Sequence, residues 1–513
     1  MNGAEALVRT LVQSGVELCL TNPGTSELHF VAALDRVPGM RPVLGLFEGV
    51  VSGAADGYAR MAGKPAATLL HLGPGLGNAL ANLHNAKKAR TPLVNLVGDH
   101  ATTHAAYDAP LSSDVAAIAA PVSGWVRRCE DRADLAAHGA EAVAAAQGPP
   151  GQVATLVVPA DIAWTDGPGP APARQQTAPA SPDPDRVRAC AAALRAGSAA
   201  LLLTGPALRR DSLARAHAAA ARTGAGLFCD TFNARLERGA GIPPITPLPY
   251  FAESALETLS GLRHLVLVGT QSPVAFFAYP ERPSGLAPKD CAIHVLADPG
   301  EDGPAALEAL CQELDVTGTP APSPAEPRPG KPTGKLGPAS IGASLSALLP
   351  EGAIVSDECI TAAAAVFPQT RGAAPHDWLF LTGGAIGQGM PLATGAALAC
   401  PDRKVVCLEG DGSGMYTLQA LWTQAREGLD VTTVVFANRS YGILEVELAR
   451  LGVREPGPRA RSVVSMSSPD LDWVELSRGM GVPARRAETA DDFHAALGTA
   501  LAEPGPSLVE AVF

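Results

Sequence analysis

Short apolar runs separated by alanine-rich stretches recur along the whole chain. Ala67–Leu72, Leu93–Val97 and Val153–Val158 near the amino end predict buried strands. So do Ala199–Leu203 and His264–Val268 in the middle, and Ala353–Ser356, Val405–Leu408, Thr432–Ala437 and Ser507–Val512 towards the carboxyl end. Between them, Ala4–Gln13, Gly49–Arg60, Leu135–Ala146, Asp211–Arg222 and Pro391–Leu398 carry helical spacing. A strand covered on both faces is apolar throughout rather than alternating. Strands of that kind alternating with helices predict parallel sheets with helices on both sides, an α/β fold.

Two proline-rich, polar stretches without periodicity, Thr165–Asp185 and Thr317–Pro338, read as linkers. They divide the chain into pieces of about 1–165, 186–316 and 339–513, each a doubly wound parallel-sheet domain in expectation. Aromatic residues are 4% of the 513, so the cores are built from Ala, Leu and Val. A net charge of −12 and no Lys/Arg cluster exclude a nucleic-acid role. The nine cysteines are scattered without a Cys-x-x-Cys pair, which predicts buried thiols rather than disulfides or a zinc site. Met1–Gly15 lacks the pattern of a signal peptide, and no apolar stretch reaches membrane-spanning length. The expectation is a cytoplasmic protein with no membrane partner.

The most informative spacing lies in the third piece. Gly410-Asp411-Gly412-Ser413 ends one apolar run, and Asn438 ends the next, 27 residues after Asp411. A strand, a helix and a second parallel strand consume about thirty residues. The carboxylate and the amide should therefore meet at the carboxyl ends of neighbouring strands, where open α/β sheets bind ligands. Two such oxygens form part of a shell for a hard cation such as Mg²⁺, completed by phosphate and water. The glycines allow close backbone approach, and a helix expected near Tyr416–Arg426 would offer its amino end to an anion. A plain surface turn with an unrelated Asn is the competing reading of this segment alone.

The pattern resembles the diphosphate–Mg²⁺ motif of thiamine-diphosphate enzymes of the acetolactate synthase, benzoylformate decarboxylase and pyruvate decarboxylase group, and the likeness runs over essentially the whole chain. It implies three consecutive domains: a pyrimidine-binding domain (1–165), a central Rossmann-like domain (186–316) and a diphosphate-binding domain (339–513). The cofactors implied are thiamine diphosphate and Mg²⁺. Asp411, Asn438 and the backbone carbonyl of Ser440 would hold the metal, with Gly410, Gly412 and Ser413 at the diphosphate. Ala437 stands where relatives have a first Asn, and Arg439 where they have a small residue. In the segment Leu46–Arg60, Glu48 matches the glutamate that hydrogen-bonds N1′ of the aminopyrimidine, although Phe47 replaces the His of many acetolactate synthases. In Thr382–Pro391, Ile386 matches the aliphatic wedge beneath the bent cofactor, and Gly384 the carbonyl that accepts from its 4′ amino group. Glu358 and Thr361, expected in a loop after the Ala353–Ser356 strand, could face the diphosphate.

On the substrate side, Asn22–Leu28 resembles a benzoylformate decarboxylase loop in which Thr25 would meet the substrate carboxylate, and His71 matches that enzyme's proton-donating histidine. A second-domain histidine of that enzyme is missing from Gln271–Tyr279, so His29, His100 and His104 are alternates, each with a structural reading. Leu444 sits where pyruvate decarboxylases have a glutamate, and Glu445 and Glu447 would form solvated charge with Arg450. The resemblance implies an enzyme that breaks or forms C–C bonds of a 2-oxo acid, either a decarboxylase or a carboligase using an acceptor aldehyde or keto acid. It also implies a homodimer or homotetramer whose chains share active sites. The middle piece lacks a glycine fingerprint and is expected to be a scaffold, with FAD left open. A cofactor-binding but weakly active subunit or regulator is the alternative reading.

Overall fold

The computed structural model describes residues 1–280, 282–316 and 326–513. They form two compact units, one made of Met1–Thr177, Arg328–Ala373 and Leu381–Phe513, the other of Ala178–Pro327 and Ala374–Phe380. Of the expected second linker, residues 317–325 lie outside the described residues.

The amino-terminal part of the first unit is a six-stranded parallel sheet. Its strands are β1 (Leu18–Asn22), β2 (Arg41–Leu44), β3 (Ala66–Leu70), β4 (Leu93–Asp99), β5 (Trp125–Arg128) and β6 (Val153–Pro159), in the order β2-β1-β3-β4-β6-β5. Leu7, Leu11, Phe30, Leu69, Leu96 and Leu156 pack in one core cluster around it. The β3 strand stops at Leu70, two residues short of the sequence expectation. Leu72 takes a φ of +49° and opens the helix Leu72–Ala89, which leaves His71 at the junction.

The carboxyl-terminal part of the same unit places five parallel strands in the order Ala484–Ala487, Ser507–Val512, Val431–Ala437, Val405–Gly410 and Ile354–Glu358. The two parts meet where helix Glu48–Ala62 packs on helix Gly389–Ala399. A Cβ on Gly57 would lie 2.0 Å from the Leu392 carbonyl oxygen, and one on Gly395 would lie 1.8 Å from that of Ala54. Only glycine lets the two backbones come this close.

The second unit has its own parallel sheet, ordered Thr246–Pro247, Gly226–Cys229, Ala199–Leu203, His264–Val268 and Ala292–Ala297. It also holds an antiparallel ladder between Leu236–Arg238 and His376–Phe380, a departure from the all-parallel expectation. Charge explains the pairing. Arg235 Nε donates to Asp377 at 2.5 Å, and the Arg238 guanidinium lies 5.0 Å from the Trp378 ring centre. No disulfide forms, and every cysteine except Cys291 and Cys400 is buried. No helix among the described residues is long and apolar enough to cross a membrane.

Glu358 corrects a second expectation. It is the last residue of its strand rather than a loop residue, and it stands in register with Glu409 on the next strand. Both carboxyls are buried. Glu358 accepts from the backbone N–H of Gly387 at 2.7 Å and from that of Gly389. Glu409 accepts from Ser413 Oγ and from the N–H of Met390 at 3.2 Å. Glu358 is therefore committed to the loop before Gly389 instead of facing a diphosphate.

Burial pushes the Glu358 carboxyl from 4.5 up to about 7. The folded chain thus holds a proton that the unfolded chain releases near 4.5, and stability falls as pH rises between those two values. Thermal unfolding of the wild type should therefore drop in midpoint across that window, with a shallower slope in Glu358→Gln. Equal slopes in the two proteins would show that this carboxyl does not carry the proton.

Candidate active site

Parallel register explains how the metal-type residues meet. Gly410 pairs with Phe436 across the Val405–Gly410 and Val431–Ala437 strands, so Asp411 and Asn438 leave the same sheet edge as neighbours. Asp411 begins a short helix, Asp411–Gly414, and the next helix is Ala420–Glu427. The helix expected near Tyr416–Arg426 thus starts only at Ala420, and a separate short helix precedes it, with Gly410 as its extended N-cap.

Asp411 accepts from the backbone N–H groups of Gly412 at 2.9 Å and Arg439 at 2.6 Å. Arg439 adopts a φ of +58°, which turns the chain back over the carboxylate. The Asn438 side-chain oxygen accepts from Ser440 N–H at 3.1 Å, and Ser440 Oγ donates to Glu445. Glu445 therefore braces the metal-type loop, while Glu447 pairs with Arg450 as expected. Burial raises the Asp411 carboxyl to about 6, because two N–H groups do not fully replace lost water. A buried carboxylate short of positive charge, an amide oxygen and a backbone carbonyl make an all-oxygen set that suits Mg²⁺. A Cβ on Gly412 would strike Tyr441 Cε1 at 2.6 Å, so the motif needs glycine there.

The second half of the site is gathered by one helix. Glu48 opens its own helix after extended Phe47 and is 7% exposed. Along helix Leu72–Ala89, Asn78 donates to Glu48 Oε2 at 2.9 Å, and Asn82 donates to the carbonyls of Gly49 at 2.8 Å and Gly387 at 3.0 Å. Asn85 donates to Ala385 O at 2.8 Å and accepts from Ala385 N at 3.2 Å. His84 adds a bond to the Gly383 carbonyl at 3.1 Å. Gln388 donates to Asp56, which also receives Arg60 and Thr91. Around half-buried Ile386 the loop is thus held on alternate residues. The Gly384 carbonyl bonds to nothing among the described residues, as a ligand-facing acceptor requires.

Thr25 is exposed in a short 3₁₀ turn, and its neighbour Gly24 lies against the His71 ring, where a Cβ would come within 2.2 Å of Nδ1. Glu27, given no role from sequence, links the two. Its Oε2 lies 2.8 Å from His71 Nδ1 and accepts from Gly24 N–H at 2.8 Å. Burial raises the Glu27 carboxyl, with both partners opposing that rise. As a carboxylate it accepts, which assigns the proton to His71 Nδ1 and leaves Nε2 for a second partner. Its position three residues after Gly24, in capping-box spacing, was the available signal. His29 makes an edge contact with Trp164, and His100 and His104 lie in the loop after β4. Leu444 is 45% exposed on helix Gly442–Arg450, which has no buried residue. Thr361 lies close to Gly442 at the start of that helix.

Comparison with known proteins gives the family. Residues 1–118 match the thiamine pyrophosphate enzyme N-terminal TPP binding domain, and residues 359–511 match its C-terminal TPP binding domain. The chain is 55% identical to a Mycobacterium tuberculosis protein named provisionally as an acetolactate synthase large subunit, IlvX, over 100% of this chain and 99% of that one. It is 30% identical to benzoylformate decarboxylase of Pseudomonas aeruginosa, over 98% of this chain and 96% of that one. A solved structure, the thiamine diphosphate-dependent 4-hydroxybenzoylformate decarboxylase of Rhodococcus jostii RHA1, superposes with a TM-score of 0.84 at 27% identity, covering 99% and 98% of the two chains. The protein belongs to the thiamine diphosphate enzyme family, alongside acetolactate synthases and benzoylformate decarboxylases.

Proposed function

We propose that the protein is a Mg²⁺-dependent member of this family that decarboxylates a 2-oxo acid other than pyruvate. In this reading Asp411, Asn438 and the Ser440 carbonyl hold Mg²⁺, and Gly410, Gly412 and Ser413 receive the diphosphate. Glu48, the Gly384 carbonyl, Ile386 and Leu444 surround the rest of the cofactor. Residues 1–165 and 339–513 act as the pyrimidine and diphosphate domains, and 186–316 as a scaffold without nucleotide, in a cytoplasmic homo-oligomer. Thiamine diphosphate held there would supply a carbon nucleophile and an acceptor for the electron pair released with CO₂. Glu48 holds the proton at N1′ of the ring. Thr25 donates its hydroxyl to the substrate carboxylate, and His71, oriented by Glu27, delivers a proton on the product side.

The observation that carries this reading is the single helix Leu72–Ala89, whose Asn78, Asn82 and Asn85 hold Glu48 and the Gly383–Gln388 loop within one chain. The Glu27–His71 pair favours proton delivery, hence decarboxylation. Likeness to a protein named as an acetolactate synthase large subunit favours the second reading, carboligation. Incubation with thiamine diphosphate, Mg²⁺ and a panel of 2-oxo acids separates them. Aldehyde matching the CO₂ released supports the decarboxylase, and an acyloin-type product supports the ligase.

Asp411→Ala should abolish Mg²⁺-dependent cofactor binding in calorimetry, and unchanged affinity would refute the metal assignment. Glu48→Gln should keep the cofactor bound while slowing hydrogen–deuterium exchange at its C2 by roughly 10²–10⁴-fold, the usual worth of acid–base help. Exchange at the wild-type rate would leave Glu48 a helix-start carboxylate.

Asn78, Asn82 and Asn85 join Glu48 to the Gly383–Gln388 loop within one chain. The family resemblance implies sites shared between chains, for which exposed Leu444, Val446, Leu451 and Val453 beside the metal-type loop offer a face. Mixing Glu48→Gln chains with Asp411→Ala chains decides between the two. Sharing should restore part of the activity, since a mixed dimer contains one site with both native residues. A monomer in light scattering, with no restoration, would refute sharing.

A further inference from the structure

Two segments of the candidate site must keep a fixed spacing if one bent cofactor is to touch both: the short helical turn Asp411–Gly414 and the loop Gly383–Gly389. One side chain lies between them. Glu409 is fully buried and stands next to last in its strand. Its Oε1 accepts from Ser413 Oγ on the turn, and its Oε2 accepts at 3.2 Å from the N–H of Met390, the residue after the loop. Glycines make room for the carboxyl on both flanks. A Cβ on Gly389 would lie 2.4 Å from Glu409 Oε2, and one on Gly414 would lie 3.1 Å from Glu409 Cγ and 2.7 Å from the Trp473 ring. Glu358 grips the loop through Gly387 and Gly389, whereas Glu409 reaches both segments. A second tie, from Thr417 Oγ1 to the Gly387 carbonyl at 3.0 Å, joins the loop to the chain just beyond the turn.

This arrangement uses up the Ser413 hydroxyl, which carries a single proton. When Glu409 is ionised, that proton goes to its Oε1. When Glu409 carries a proton of its own, the hydroxyl has the Gly410 carbonyl as acceptor at 3.2 Å. A diphosphate presents acceptor oxygens, and a hydroxyl whose proton already points into the core has nothing to donate to them. We propose that Glu409 is a positioning residue that ties the diphosphate-type turn to the Ile386 loop, and that the Ser413 hydroxyl serves this tie instead of binding the anion. The proposal rests on the functional reading above, in which both segments face thiamine diphosphate. Only the main chain of Ser413 is then left for the diphosphate. The tie sets the distance between the anchored end of the cofactor and the aliphatic wedge. Misplacing reacting groups by about 1 Å costs up to roughly 10²-fold in rate. With the Thr417 tie kept, loss of the Glu409 tie should cost about tenfold.

Ser413→Ala and Glu409→Ala each cut the tie. Glu409→Gln keeps it, because the amide oxygen can take the Met390 N–H while the NH₂ donates to Ser413 Oγ. The full chain with thiamine diphosphate and Mg²⁺ is read in two ways: affinity by calorimetry, and hydrogen–deuterium exchange at C2 of the bound cofactor. In Ser413→Ala the affinity should stay within about twofold of the wild type while exchange slows about tenfold. Glu409→Ala should repeat that pattern, and Glu409→Gln should exchange at the wild-type rate. Ser413→Ala removes a single oxygen, so it decides even where Glu409→Ala does not fold. An affinity loss of about tenfold or more in Ser413→Ala, the usual worth of a hydrogen bond to a charged group, would make the hydroxyl a ligand and overturn the proposal. So would wild-type exchange in Ser413→Ala, which would leave the tie a matter of stability alone. Equal slowing in Glu409→Gln and Glu409→Ala would also overturn it, since charge rather than the tie would then be at work. A wild-type chain that binds no thiamine diphosphate would overturn the functional reading itself, and the proposal with it.

Discussion

A run such as Gly383–Gly389, with four glycines in seven residues, has no local reason to keep one conformation. It keeps one here because polar side chains from elsewhere seize its backbone on both sides. Glu358 takes the N–H groups of Gly387 and Gly389, while Asn82, His84 and Asn85 bond the carbonyls between them. The side chain at Gln388 is anchored separately to Asp56. Most other features of the site take their positions from this grip. It fixes where the helix Gly389–Ala399 starts, and that helix in turn lies against the one that begins with Glu48.

Asp56 shows why the arrangement uses charge inside a core. Its two oxygens receive four donors, two from Arg60 and one each from Thr91 and Gln388, and the ion pair is almost completely shielded from solvent. A buried ion pair is a weak source of net stability, since desolvation offsets most of the attraction. It is a strong source of uniqueness. A shifted helix would leave a charge without partners, which costs far more than a shifted methyl group.

Much of this was legible in the sequence where spacing determines geometry. The 27-residue interval predicted Asp411 beside Asn438, and parallel register delivers it. Runs such as Ala199–Leu203, His264–Val268 and Ser507–Val512 became strands with the same ends, because an uninterrupted apolar run leaves no other place to bury it. What escaped were relations without periodicity. Glu358 and Glu409 share a register across two strands 51 residues apart, which no local pattern encodes. The antiparallel ladder of His376–Phe380 depends on Arg235 and Arg238, far away in the chain. Short, partly exposed strands such as Arg41–Leu44 carry too little apolar signal to be seen.

The glycine-to-carbonyl contacts at Gly57 and Gly395 bear on how molecules enter and leave. Two helices whose backbones touch at both points have no side-chain layer to act as a lubricant, so the two sheets of the first unit cannot slide past each other without breaking contact. Traffic must then pass over the rim instead of through a hinge. The rim carries helix Gly442–Arg450, which buries none of its residues and joins the metal-type loop directly. The body of the unit would remain a fixed frame, and the pace of exchange would be set by a few residues at its edge.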